Sequence, residues 1–166
     1  MEPQSQDIPP AVALLRHAVA TLAYRSAKTL RDAPEGFCKF RASEGTRTPV
    51  EIRAHMGDLL DWALSVADGA PKFSSSAPMP WAQECARYFD ALEAIDQRLG
   101  SGQELQRRPE RIFQGPIADA LTHTGQIALL RRMFGSPMRG ENYYVAPITP
   151  GRVGMEQGAP GMEFDD

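Results

Sequence analysis

Apolar residues recur at helical spacing in four stretches of this chain, and no stretch shows the two-residue alternation of a half-buried strand. The first follows Pro9-Pro10 and carries Leu15, Ala18, Val19, Leu22 and Leu30, which predicts a helix running to about Leu30 and closing before Pro34. The second opens with Thr48-Pro49-Val50-Glu51, a capping box with proline at the first helical position. From there Ile52, His55, Met56, Leu59, Ala63 and Val66 keep the period until Gly69 and Pro71 stop it. The third places Trp81, Cys85, Tyr88, Leu92, Ile95 and Leu99 at alternating steps of four and three, a narrow bundle seam that ends at Gly100. The fourth starts near Gly115-Pro116 and ends at Gly135, with Ile117, Ala120, Leu121, Thr124, Ile127 and Ala128 as its packing stripe. Four such helices predict an all-α fold, a four-helix bundle.

The connections are long for a bundle. Residues 33–47 carry Phe37 and Phe40, expected to tuck onto the helices, and the Ser/Pro-rich residues 70–80 are long enough to cross from one end to the other. From about residue 139 an extended tail is expected, anchored by Tyr143, Tyr144, Val145 and Ile148, with its last ten residues mobile. At 166 residues, without internal repeats, the whole of 1–166 reads as a single domain. The net charge of −3 is spread with both signs interspersed, so there is no basic stripe for nucleic acid. No apolar run approaches a membrane span, and the leader Met1-Glu-Pro-Gln-Ser-Gln-Asp7 lacks the basic and apolar regions of a secretory signal. A cytoplasmic location is expected, with Cys38 and Cys85 as buried, reduced thiols.

Chemistry concentrates in the second and fourth helices. Asp119 and His123 are four residues apart, so they project from one helix face, and His55 lies on the apolar face of the second helix. Each has a plainer reading. A lone histidine among apolar neighbours is more often a satisfied core residue, and a carboxylate in a first helical turn is favoured by the macrodipole. Asp58 reads either as an acceptor behind His55 or as a solvent-facing acid, and Gln126 as a hydrogen-bonding partner near the site or as an exposed residue. Gly125 costs about 1 kcal/mol relative to alanine, which suggests a close approach by another helix or by the tail. His17 is assigned to packing or surface, and the arginine pairs Arg107-Arg108 and Arg131-Arg132 to solvated faces or tail anchors. Ser74, Ser75 and Ser76 lack a Gly-x-Ser-x-Gly setting, and neither a Walker loop nor a dinucleotide fingerprint is present.

The segment Pro49-Val-Glu-Ile-Arg-Ala-His-Met-Gly-Asp58, followed by Asp119-x-x-x-His123-Thr-Gly-Gln126, Leu129-Leu-Arg-Arg-Met-Phe-Gly-Ser-Pro137 and Gly140-Glu-Asn-Tyr-Tyr144, resembles the DinB / YfiT-like family. The resemblance implies an up-down-down-up bundle, often a homodimer, holding one divalent metal between three side chains. His55 corresponds to the histidine of helix two, and His123 to the second member of a His-x-x-x-His pair whose first member is here Asp119. The implied ligands are therefore His55, Asp119 and His123, two histidines and a carboxylate that suit nickel or zinc first and also iron or manganese. By the same resemblance the expected function is thiol-dependent S-transfer between a low-molecular-weight thiol and a small electrophile, in detoxification or stress response. A metal-dependent hydrolase and a non-catalytic small-molecule-binding protein with a structural or vestigial site are the alternatives.

Overall fold

The computed structural model describes residues 8–164, so the polar leader at residues 1–7 lies outside it. Three long helices come first: α1 (Pro10–Leu30), α2 (Pro49–Ala67) and α3 (Trp81–Gly100). Their bounds follow the apolar periodicity closely. The start of α2 is fixed locally. The Thr48 hydroxyl accepts the Glu51 N–H at 3.4 Å, while the Glu51 carboxylate takes the Thr48 N–H at 2.6 Å. Such a reciprocal cap is worth about 1 kcal/mol.

The last helical stretch departs from expectation at its beginning. A single turn, α4 (Pro109–Ile112), leads into a π-helical turn at Phe113–Ile117, and α5 (Ala118–Met133) continues from it. Pro116 has no N–H to give to a regular helical ladder and its ring crowds the preceding turn. The wider π turn accommodates the proline, so the helical path runs through Gly115-Pro116 rather than starting there.

In the bundle, α1 packs on α3 and α5, and α2 packs on the same two helices. The shared interior holds Leu22, Met56, Leu60, Leu92, Ile95 and Ile127, all with essentially no exposure. Phe37, from a short 3-10 turn at Phe37–Lys39, is buried with its ring edge-on to Trp81 and Phe134, and Phe40 joins the same aromatic group. Both phenylalanines of the first connection therefore tuck onto the bundle. No strand is present among the described residues beyond one isolated bridge between Glu141 and Glu163. No helix of the described residues is long and apolar enough to cross a membrane.

Several polar residues are inside. The Arg53 guanidinium is fully buried against the face of Tyr88, 4.3 Å from the ring centroid. Tyr88 shares a hydrogen bond of 2.8 Å with Ser26, which meets Thr124 at 3.0 Å and so ties α3, α1 and α5 together. Arg131, read from sequence as part of a solvated pair or a tail anchor, is buried. It donates to the carbonyls of Thr29 and Arg31 at 3.0 Å, to that of Asp32 and to that of Ser136. Those first three are carbonyls left open at the end of α1, and a forked cation satisfies several at once. Arg107 and Arg108 are exposed, as expected. Cys38 and Cys85 are free thiols but only half-buried, because each lies at the edge of the packed layer rather than within it.

The tail is held more firmly than its Gly/Pro content suggests. Glu141 is buried and accepts from the Tyr24 hydroxyl and the Lys28 ammonium, each at 2.6 Å, and Lys28 also reaches Glu163 at 2.7 Å. Backbone bonds from Asn142 to Met162 and from Phe164 to Gly140 close the strap. Residues 157–164 are thus tied back, contrary to the expectation of a mobile end. Among the expected anchors, Tyr143 stacks under Arg25 and edge-on to Tyr24, and Ile148 packs partly on the core. Tyr144 is 95% exposed and Val145 is exposed too, so neither is buried against the bundle.

Candidate metal centre

α2 and α5 supply the site. His55 comes from the face of α2 whose neighbours Ile52 and Leu59 are buried, and Asp119 and His123 come from successive turns of α5. His55 Nε2 lies 3.7 Å from Asp119 Oδ2, and His123 Nε2 lies 3.5 Å from Asp119 Oδ1. The two imidazoles meet edge to face with centroids 4.9 Å apart. One ligand atom from each of the three residues falls within 4.8 Å of the other two. Two ligands about 2.1 Å from one tetrahedral ion stand about 3.4 Å apart, so the two histidine–aspartate separations need little adjustment to share an ion.

The surroundings prepare the imidazoles as ligands. Gln126 Oε1 sits 2.7 Å from His123 Nδ1. As acceptor it keeps the proton on Nδ1 and leaves the Nε2 lone pair facing Asp119. His55 is half-buried, and burial, then the neighbouring His123 and the Arg47 charge, hold its pKa below the ordinary histidine value against the opposing pull of Asp119 and Asp58. Its neutral form, the one that ligates, therefore prevails at neutral pH. Asp119 is the most accessible of the three, with a side chain 47% exposed. The macrodipole reading of that residue loses its basis, because the helical path begins at Pro109 and Asp119 lies about three turns inside it.

The remaining candidates sort clearly. Asp58 neither touches His55 nor faces solvent. It is buried, accepts from Arg87 at 2.6 Å and from the Ser76 N–H at 3.0 Å, and so pins residues 70–80 against α2 and α3. That connection brings Phe73 edge-on to His55, with centroids 6.4 Å apart, and onto Trp62 at 5.8 Å. His17 is exposed and remote from the group. Gly125 meets nothing within 4 Å where a Cβ would stand, so no close approach explains it.

Two open clefts flank the group. One, of about 430 Å³, runs from His123 and Gln126 past Ile52 to Leu129, Leu130 and Met133, with Arg47 at its edge. The other, of about 410 Å³, lies between Trp62, Gln114 and Asp119. The first cleft opens onto His123 and the second onto Asp119. Sequence reasoning missed Arg47 and Phe73, since both come from connections whose course no periodicity reveals. Comparison of the chain with protein-family models, with characterised proteins and with solved structures gave no match.

Proposed function

We propose that the protein is a divalent-metal-dependent enzyme of the thiol S-transferase type, with His55, Asp119 and His123 as its metal ligands. The observation that carries this reading is the convergence of these three donors from two helices, with Gln126 Oε1 within hydrogen-bonding distance of His123 Nδ1. Nickel or zinc suit the donor set best, since imidazole and carboxylate nitrogen and oxygen serve both. A divalent ion held there would lower the pKa of a coordinated thiol, giving a thiolate near neutral pH.

The chain's own residues do the rest. Gln126 holds His123 in its ligating tautomer, and Asp119 offsets part of the cationic charge. Phe73, backed by Trp62, shields His55 on one side, while Leu129 and Met133 offer an apolar bed for the substrate body on the other.

Kinship with the DinB / YfiT-like bundles belongs to the same proposal, and so does their up-down-down-up order. The contacts support that order. Arg16 pairs with Asp96 while Ser26 meets Tyr88, so α1 and α3 run in opposite senses. Arg87 bonds the Ala54 carbonyl and Arg98 that of Ala67, so α2 and α3 run in the same sense. Ser26 meets Thr124 and Arg131 meets Thr29, so α1 and α5 run together.

Metal analysis of untagged protein tests the reading. One equivalent of metal is expected, abolished by His55→Ala and by His123→Ala and much weakened by Asp119→Ala. Protein that neither carries nor takes up metal would remove the centre of the proposal. Thiol-dependent consumption of an electrophile is expected of the loaded protein, and thiol-independent hydrolysis would replace the transferase by a hydrolase.

A further inference from the structure

The cleft beside His123 has a charge pattern of its own. Its floor is apolar, with Ile52 and Leu130 beneath and the exposed side chains of Leu129 and Met133 above. Large apolar side chains exposed along one wall of a concavity are a binding surface more often than an accident. Its one basic residue is Arg47, and the loop carrying it is well fixed. Arg41 donates to the Thr46 carbonyl and to Glu51, Thr46 and Ser43 bond each other, and Thr48 caps α2 immediately afterwards. Arg41 thereby engages the nearby carboxylate of Glu51. Arg47 forms no ion pair with any described residue, and its charge is close enough to be felt at His55. An exposed guanidinium without a carboxylate partner, carried on a braced loop at the edge of an apolar trough, is an arrangement that recognises an anionic head on a greasy body.

We propose that this cleft selects a small carboxylate-bearing substrate, with the carboxylate on Arg47, the apolar body on Leu129, Leu130 and Met133, and the reacting end toward His123. This rests on the metal-centre reading only for the direction in which the substrate reacts. The Arg47 trough itself needs no metal. With an ion bound, Asp119 would neutralise only part of its charge, so the whole mouth would remain cationic and favour the same class of ligand.

The test uses two probes of equal length, 4-phenylbutyrate and 4-phenyl-1-butanol, titrated calorimetrically into chelator-treated protein and into zinc-loaded protein. Wild type is expected to bind the carboxylate about five- to tenfold more tightly than the alcohol. Arg47→Gln should erase that preference while leaving the affinity for the alcohol and the metal content unchanged, and Arg47→Lys should restore part of it. Equal affinities in wild type, no binding of either probe, or a preference that survives Arg47→Gln would each overturn the inference. Protein that takes no metal yet shows the Arg47-dependent preference would overturn the enzyme reading alone. Protein that takes metal and lacks the preference would overturn this inference alone.

Discussion

Replacing Gln126 by leucine keeps the side-chain volume roughly constant and removes one acceptor. In the metal-free protein that acceptor takes a hydrogen bond from the imidazole N–H, a bond contributing about 1 kcal/mol. When His123 ligates a cation its remaining N–H becomes more acidic, and the same bond approaches a charge-assisted one of about 1.5–3 kcal/mol. The difference, about 0.5–2 kcal/mol, is what Gln126 adds to metal affinity, and it corresponds to a change of about two- to thirtyfold, centred near tenfold. That lies at the lower end of the loss seen when partners behind a metal ligand are removed. Gln126 is itself exposed, so the stability of the metal-free fold should move by less than about 1 kcal/mol. Competition with a chromophoric zinc chelator measures the affinity, and nitrogen chemical shifts of His123 report its tautomer. If Gln126→Leu binds zinc as tightly as wild type while His123→Ala does not bind it at all, the argument from tautomer control is wrong.

Three further outcomes follow from the packing. Burial pushes the Asp58 carboxyl upward, but the bonds from Arg87 and Ser76 outweigh it and leave its pKa below the ordinary carboxylate value. Its stabilisation is present above about pH 4 and is lost as the pH falls through the lower folded-state value, so denaturant melts of Asp58→Asn should show a flatter acid limb than wild type. Glu141→Ala leaves Tyr24 without its acceptor and Lys28 with Glu163 alone, which should cost about 3 kcal/mol and lower Tm by about 6–12 °C, and a loss below 1 kcal/mol would refute the strap as a stabilising element. Gly125→Ala should raise stability by about 0.5–1 kcal/mol, since open space surrounds the added methyl, and a loss would revive the idea of a close approach at that position.

The parts of the molecule written in local chemistry could be read from the sequence. Thr48 and Glu51 are three residues apart and cap each other whatever surrounds them, and the Trp81–Leu99 seam states its own period. His55 and the Asp119/His123 pair could each be placed on a helix face, and the bundle then brings those faces together. What was hidden depends on distant partners. Arg53, Glu84 and Arg131 look like surface charges in sequence. Arg53 is buried because Tyr88 arrives from α3, Glu84 because the Met79 N–H folds back onto it, and Arg131 because the end of α1 presents open carbonyls. Composition also misled at the tail, where Gly and Pro content suggested mobility but Glu141 and Glu163 meet a lysine more than a hundred residues away. Gly125 has no structural explanation in its surroundings.

The strap over α1 also has a consequence for the order of events during synthesis. Lys28 and Tyr24 leave the ribosome early, and their buried partner Glu141 follows 113 and 117 residues later. At translation rates of about 5–20 residues per second, that interval is about 6–23 seconds. Throughout it, the end of α1 must keep a lysine and a tyrosine hydrated that the finished protein seals away. Sealing of that end of the bundle is therefore timed by the ribosome and not by the helices, and a nascent chain stalled before residue 141 should bind chaperones longer than one stalled beyond 163.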